Sequence, residues 1–304
     1  MTAMKPDRKA AQKKPALPRV EVGILGGTGL YEIEGLIDIR EFKIKTPLGV
    51  PSEAYIVGSL GGKRVAFLSR HGRGHRLLPQ DVNYRANIYG FKMLGVERII
   101  SVNSCGSLKE EIRPRDIVFC DQFYDRTRRV NSFFGGGIAA HISFAQPVCP
   151  ELSGFLFATA VGLGVRAHLG GTYICIEGPA FSSKAESKIY RSWGCDVIGM
   201  TAATEAKLCR EAEICYATMN LATDYDVWHA DEESVSVGLI LENLRLNIHN
   251  AKAIIRKAVE TLPPHHDGVC DCREALKNTI VTNPALIPPA VKKRLKPIID
   301  KYLS

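Results

Sequence analysis

The segment YICIEGPAFSS (residues 173–183) leads through a helical stretch and a second strand–helix pair to ICYATMNLATDYDVW (214–228), and this run decides the fold class. Its stretches 172–176, 196–200 and 214–222 are short, apolar and rich in β-branched residues, the pattern of strands covered on both faces. Stretches 184–193 and 204–212 between them show helical spacing. Alternation of this kind specifies an α/β fold around a largely parallel or mixed sheet. The last strand also carries Asp224 and Asp226 past its end, into a pocket instead of onto a solvated face.

Working outward, the runs 20–25, 64–69, 98–103 and 116–122 read as further strands, and 82–94 and 151–163 as helices. The longest helix is expected over 235–262, with acidic residues 231–233 suiting its start and Pro263 and Pro264 stopping it. One domain is expected over 20–304, a central mixed sheet flanked by helices, with a helical C-terminal extension from about residue 263 and a disordered basic tail over 1–19.

A chain of 304 residues, 45% hydrophobic and 24% charged, buries one large core. The net charge of +8 sits at the ends: residues 1–19 contribute +5 and 291–304 contribute +4, which leaves −1 for the body. A near-neutral body excludes a phosphate-tracking groove, so no specific nucleic acid is expected as a partner. No apolar run approaches the roughly 20 residues of a membrane helix, and a soluble, cytosolic protein is expected. The nine cysteines mostly lie in apolar segments such as those around Cys120, Cys175 and Cys215, and read as small core hydrophobes in a reducing compartment. HHDGVCDC (265–272) fits zinc-ligand spacing poorly, so Cys270 and Cys272 read as a loop disulfide or part of a polar linker, with no metal expected.

Four strand ends carry oxyanion donors. GILGGTG (23–29) lacks the third glycine of a dinucleotide fingerprint and the lysine of a P-loop, which leaves a tight turn whose amides and Thr28 hydroxyl form a nest for a small anion. SRHGRGH (69–75) presents Arg70, with a fork matched to phosphate oxygens, and His71 as a further donor. NSCGS (103–107) and GMT (199–201) add hydroxyls and amides. Ligands of open α/β sheets bind beyond the carboxyl ends of the strands, so these ends describe a site for free phosphate.

In this order, GGTGL, RHG, CGSL, DQFYDRT, IEGPAFSS, the MT pair and ATDYDVW resemble the 5′-methylthioadenosine phosphorylases of the purine nucleoside phosphorylase superfamily, over about residues 20–262. The resemblance implies the phosphorylase/hydrolase-like fold and phosphorolysis of methylthioadenosine to adenine and 5-methylthioribose 1-phosphate, with inorganic phosphate as co-substrate and no cofactor. By position it implies phosphate binding by Thr28, Arg70, His71, Ser104 and Thr201. It places Ser182, Asp224 and Asp226 at the purine, Met200 at the ribose and Phe181 beside both, with Val237, Ile240 and Leu241 as an apolar cup for the methylthio group. His141 matches a histidine lent by a neighbouring subunit, which implies a homotrimer or a hexamer of two trimers. Asn103, Ser104 and Ala180 depart from the animal pattern of Thr, Ala and Arg, and the C-x-C of Cys270 and Cys272 is similar to that of heat-adapted archaeal relatives.

Glycosidic cleavage builds positive charge on the ribose and negative charge on the departing purine. Phosphate answers the first. Asp224, its pKa raised by burial and by Asp226, answers the second by protonating N7, and its acceptor oxygens select a 6-amino purine over a 6-oxo one. A 6-oxopurine nucleoside phosphorylase or a methylthioinosine phosphorylase would share the phosphate site, with an amide in place of Asp224. An NAD-dependent oxidoreductase and a nucleic-acid-binding module are disfavoured by the broken glycine fingerprint and the neutral body. Ordinary core packing competes for Phe181, Met200 and Val237.

Overall fold

The computed structural model describes residues 17–27, 30, 32–229, 237–264 and 270–303, and for 237–241 the backbone alone. The chain runs β1 (Val22–Gly26), β2 (Ile37–Phe42), β3 (Tyr55–Leu60), β4 (Lys63–Ser69), α1 (Tyr84–Met93), β5 (Arg98–Ser107), β6 (Ile117–Phe119), β7 (Gln122–Asp125) and α2 (Pro150–Gly162). It continues through β8 (Ala167–Leu169), β9 (Thr172–Cys175), α3 (Lys184–Ser192), β10 (Val197–Gly199), α4 (Ala202–Glu211), β11 (Cys215–Asp224), α5 (Val237–Thr261) and α6 (Pro289–Leu303).

Side chains alternate across each central strand, and the alternation sorts the core into two layers. Val22 and Ile24 of β1, Val65 and Phe67 of β4, Ile100 of β5 and Ala217 and Met219 of β11 face α2 and α5, where Leu156, Ile254 and Ile255 meet them. Leu25, Ala66, Leu68, Ile99 and Tyr216 point the other way, toward Ile88 and Phe91 of α1, Leu208 of α4 and Leu295 of α6. Gly23 marks how closely α1 approaches, since a Cβ there would lie 2.9 Å from the Phe91 ring. The C-terminal helix is therefore part of the core: Leu295, Ile298 and Ile299 are buried, and Tyr89 donates from its hydroxyl to the carbonyl of Arg294 at 2.6 Å.

The sheet order is β2-β3-β4-β1-β5-β10-β9-β7, and β5 also pairs β11, which continues to β6 and β8. β1 runs parallel to β4 and β5, whereas β10 meets β5 antiparallel, so the sheet is mixed as expected. Along one edge of β5, pairing with β1 ends at Ser101 and pairing with β10 begins at Gly106. The other edge stays with β11 throughout, from Cys215 opposite Arg98 to Asp224 opposite Gly106. Residues 102–105 thus sit in a fork where neighbouring strands diverge, the geometry that opens a crevice in an α/β sheet.

Three differences from expectation have physical reasons. The single strand expected over 116–122 is split, because β6 pairs β11 and β8 while β7 pairs β9, and Asp121 accepts from the Gly171 amide at 3.0 Å at the break. The hairpin partner β2 is an exposed edge strand whose IDIREF sequence lacks an apolar run. β5 is longer than expected because its polar end, NSCGS, still pairs with β11. The basic stretch 1–16 lies outside the described residues.

Candidate active site

A pocket of about 380 Å³ opens at the β5 fork, with Arg70, His71, Asn103, Ser104, Phe181, Ser182, Met200, Thr201, Asp224 and Asp226 in its wall. That size suits one small ligand. A larger cavity of about 690 Å³ under α6 is lined by Lys92, Lys293, Lys296, Lys301, Glu213 and Asp300. Two of its lysines are paired, Lys301 reaching Glu213 at 2.7 Å and Lys296 reaching Asp300 at 2.5 Å, and it brings no catalytic pair together.

At one end of the pocket, β4 delivers Arg70 and His71 as the sequence predicted, but their donors point elsewhere. Arg70 is buried and turns its fork onto Glu205: Nε donates to Oε1, and Nη2 donates to Oε2 at 3.1 Å and to Ser101 Oγ at 2.7 Å. Nη1 donates to the carbonyl of Val102 at 3.1 Å, which caps the unpaired edge of β5. Burial works against the Arg70 charge and Glu205 outweighs it, raising the pKa. With the fork so engaged, the second Nη1 hydrogen remains for an anion. His71 Nδ1 sits 2.9 Å from the carbonyl of Leu77 and must carry the proton there, so neutral His71 offers Nε2 to the pocket as an acceptor. Burial, with Arg70 behind it, pushes its pKa down to about 4.

Thr201 stands at the N-cap of α4, whose first amides face a helix start suited to an anion. Its hydroxyl donates to Asn103 Oδ1 at 2.8 Å, and Asn103 Nδ2 donates in turn to Thr218 Oγ1 at 2.8 Å. Ser104 is exposed to the pocket. Thr28 lies outside the described residues.

At the other end, β11 finishes with the two carboxylates. Asp224 accepts at Oδ1 from the Asp226 amide at 2.8 Å and at Oδ2 from the Thr223 hydroxyl at 2.7 Å. Asp226 itself has φ +52°, in the left-handed region. Its Oδ2 is buried with no hydrogen-bond partner among the described residues, and burial, with the charge of Asp224 behind it, raises its pKa. Gly106 makes room for the pair: a Cβ there would stand 3.0 Å from Asp224 Oδ1 and 3.3 Å from Asp226 Cβ. From α5, Asn243 donates to the carbonyl of Thr223 at 2.7 Å and Asn247 to that of Ala222 at 2.9 Å, which fixes the strand end.

The IEGPAFSS segment joins the two ends. Ser183 caps α3 by a reciprocal capping box with Glu186, which holds Phe181 and Ser182 over the pocket. Ser182 Oγ is buried and finds no partner among the described residues. Val237, Ile240 and Leu241 fall in α5, where their side chains lie outside the described residues. His141 is exposed beside the Ala140–Ile280 bridge and is not in the wall of its own chain's pocket. Sequence reasoning missed Glu205, fully buried and holding Arg70, Ser101 and Tyr216. His75, the last residue of SRHGRGH, stacks its ring on His71 at 4.4 Å. An acid set among the alanines of the first turn of α4 was the available signal for Glu205. Cys270 and Cys272 keep free thiols, which corrects the expected loop disulfide.

A mixed sheet whose fork joins an end suited to an anion with an acidic end fits a nucleoside phosphorylase. The model of the phosphorylase superfamily matches residues 21–260. An S-methyl-5′-thioadenosine phosphorylase of Koribacter versatilis is 54% identical over 287 residues, 94% of this chain and 98% of that protein. One from Geobacter sulfurreducens is 55% identical, covering 93% and 99%. A crystal structure of a methylthioadenosine phosphorylase from an antarctic soil metagenomic library superposes with a TM-score of 0.86 at 43% identity, covering 92% of this chain and 99% of that one. The Schistosoma mansoni methylthioadenosine phosphorylase in complex with adenine gives a TM-score of 0.78 at 33% identity, covering 85% and 97%. The chain belongs to the methylthioadenosine phosphorylase family of the phosphorylase superfamily.

Proposed function

We propose that the chain cleaves S-methyl-5′-thioadenosine with inorganic phosphate, yielding adenine and 5-methylthioribose 1-phosphate. One observation carries this reading: the pocket unites the β4, β5 and α4 ends, suited to an anion, with Asp224 and Asp226 at the end of β11. A nucleoside laid between them has its anomeric carbon facing the anion and its base facing the acids. Phosphate oxygen bonds to C1′ as the C1′–N9 bond breaks, and the electron pair leaves with the purine, which takes a proton at N7.

Phosphate in this site meets Ser104, the α4 start, Thr201 and the remaining Arg70 hydrogen; the dianion's own hydroxyl suits the bare Nε2 of His71. Thr28 completes the set from the strand end of β1. At the base, Asp224 accepts from the 6-amino group and Asp226 is the carboxyl whose surroundings favour the protonated form, so the pair shares the proton destined for N7. Ser182, Phe181 and Met200 frame base and ribose, and Val237, Ile240 and Leu241 form the cup for the methylthio group. No helix among the described residues is long and apolar enough to cross a membrane. A cytosolic homotrimer, or a hexamer of two trimers, with His141 entering the neighbour's pocket, completes the reading.

Release of free base from methylthioadenosine, adenosine and inosine, with and without phosphate, tests it. Release should need phosphate, accept arsenate in its place, and favour methylthioadenosine. Equal release in phosphate-free buffer would remove the phosphate role, and preference for inosine would turn the reading to a 6-oxopurine phosphorylase.

A further inference from the structure

Four cysteines from three separate parts of the chain meet at one point. Cys149 is the N-cap of α2, Cys215 opens β11, and Cys270 and Cys272 flank Asp271 at the 3₁₀ turn Asp271–Glu274. Their Sγ atoms all lie within 4.8 Å of one another, with Cys215 and Cys270 at 3.4 Å. Cys149, Cys215 and Cys272 are buried and Cys270 is partly covered.

Core packing gives no reason for four thiols to converge, and a disulfide uses two sulfurs about 2.0 Å apart. A tetrahedral ion with four thiolates at about 2.3 Å holds every pair of sulfurs about 3.8 Å apart, a spacing within the 4.8 Å that encloses all four here. The surroundings carry compensating charge. Arg210, itself buried, donates from Nη1 to Cys272 Sγ at 3.6 Å and from Nη2 to the carbonyl of Gln146. Arg98 stands opposite Cys215 in the β5–β11 register, its Nη1 on the carbonyl of Pro263 at 2.7 Å. Two guanidinium groups match the net charge of a divalent ion with four thiolates.

We infer that Cys149, Cys215, Cys270 and Cys272 bind one structural zinc ion. Thiolate softness and tetrahedral closure select zinc, and four protein ligands leave no open position for chemistry. Binding exchanges four thiol protons for the ion, among them the one that Cys149 Sγ donates to Glu151 Oε2, 3.5 Å from the sulfur. The site lies at the start of β11, nine residues and so roughly 30 Å from Asp224, and it fastens the segment after α5 to the starts of β11 and α2.

The test is metal content of the full chain, expressed with zinc and purified without chelator under reducing conditions. About one zinc per chain is expected, with X-ray absorption showing sulfur ligands alone at about 2.3 Å and all nine thiols reactive once the protein is denatured with a chelator. In a Cys270→Ser, Cys272→Ser double variant zinc should fall at least tenfold and the melting temperature by roughly 10 °C. Turnover below that melting point should stay within about twofold. Should the variant not fold, the wild-type zinc content still decides. Less than a tenth of an equivalent of zinc overturns the site, whether the thiols prove fewer than nine, as disulfides require, or all nine, as plain packing requires.

Discussion

Two hydrogen bonds help to orient Asp224, one from the Asp226 backbone and one from Thr223, and neither uses the Asp226 side chain. Asp224→Asn keeps the shape, removes an acceptor and adds a donor. Turnover of methylthioadenosine should fall by about 10²–10⁴-fold while the ratio of inosine to adenosine cleavage rises. Asp226→Asn should move that ratio less. Because burial and Asp224 disfavour the Asp226 charge, this variant should also melt higher than wild type at neutral pH, and a lower melting point would contradict the raised pKa. His71 gives the opposite sign. Its folded pKa of about 4 lies below the unfolded value of 6.5, so the unfolded chain takes up the extra proton between those limits and stability falls as the pH drops through them. His71→Asn retains a donor for the Leu77 carbonyl and does not titrate. Its urea-unfolding free energy should lose up to about 3 kcal/mol of that acid dependence, and an unchanged slope would mean that His71 is not buried as a neutral ring.

Among elements, the fork in β5 does most to make the site, and Gly106 is its tightest point. Gly106→Ala would press a methyl onto Asp224 Oδ1 and Ile198, so catalytic efficiency should drop at least about tenfold, with the loss larger for kcat than for phosphate affinity. Unchanged kinetics would show that the carboxylates tolerate displacement. Much of the sheet was legible in the sequence because β1, β4 and β11 are largely buried and rich in apolar residues. β2 was not, since a solvent-exposed edge strand has no such run. Asp224 and Asp226 were readable as a strand ending in acids. Glu205 and the direction of the Arg70 fork were not, for they depend on α4 bringing Glu205 to Arg70 just past β4, across 135 residues of sequence. The meeting of Cys270 with Cys149 and Cys215 was hidden in the same way.

On the scale of the whole molecule, one chain presents an exposed His141 away from its own pocket, and the proposed assembly would bring it to the neighbour's. Activity per chain should then fall on dilution below the assembly constant, with His141→Ala raising KM for methylthioadenosine and leaving the sedimentation coefficient unchanged. A fully active monomer by light scattering would contradict that arrangement. The central claim is that phosphate, not water, attacks the sugar. Its most direct measurement is the mass of the sugar product formed from methylthioadenosine in water enriched in heavy oxygen with ordinary phosphate. The account predicts 5-methylthioribose 1-phosphate carrying no solvent oxygen, and free methylthioribose bearing a heavy oxygen at its anomeric carbon would contradict it.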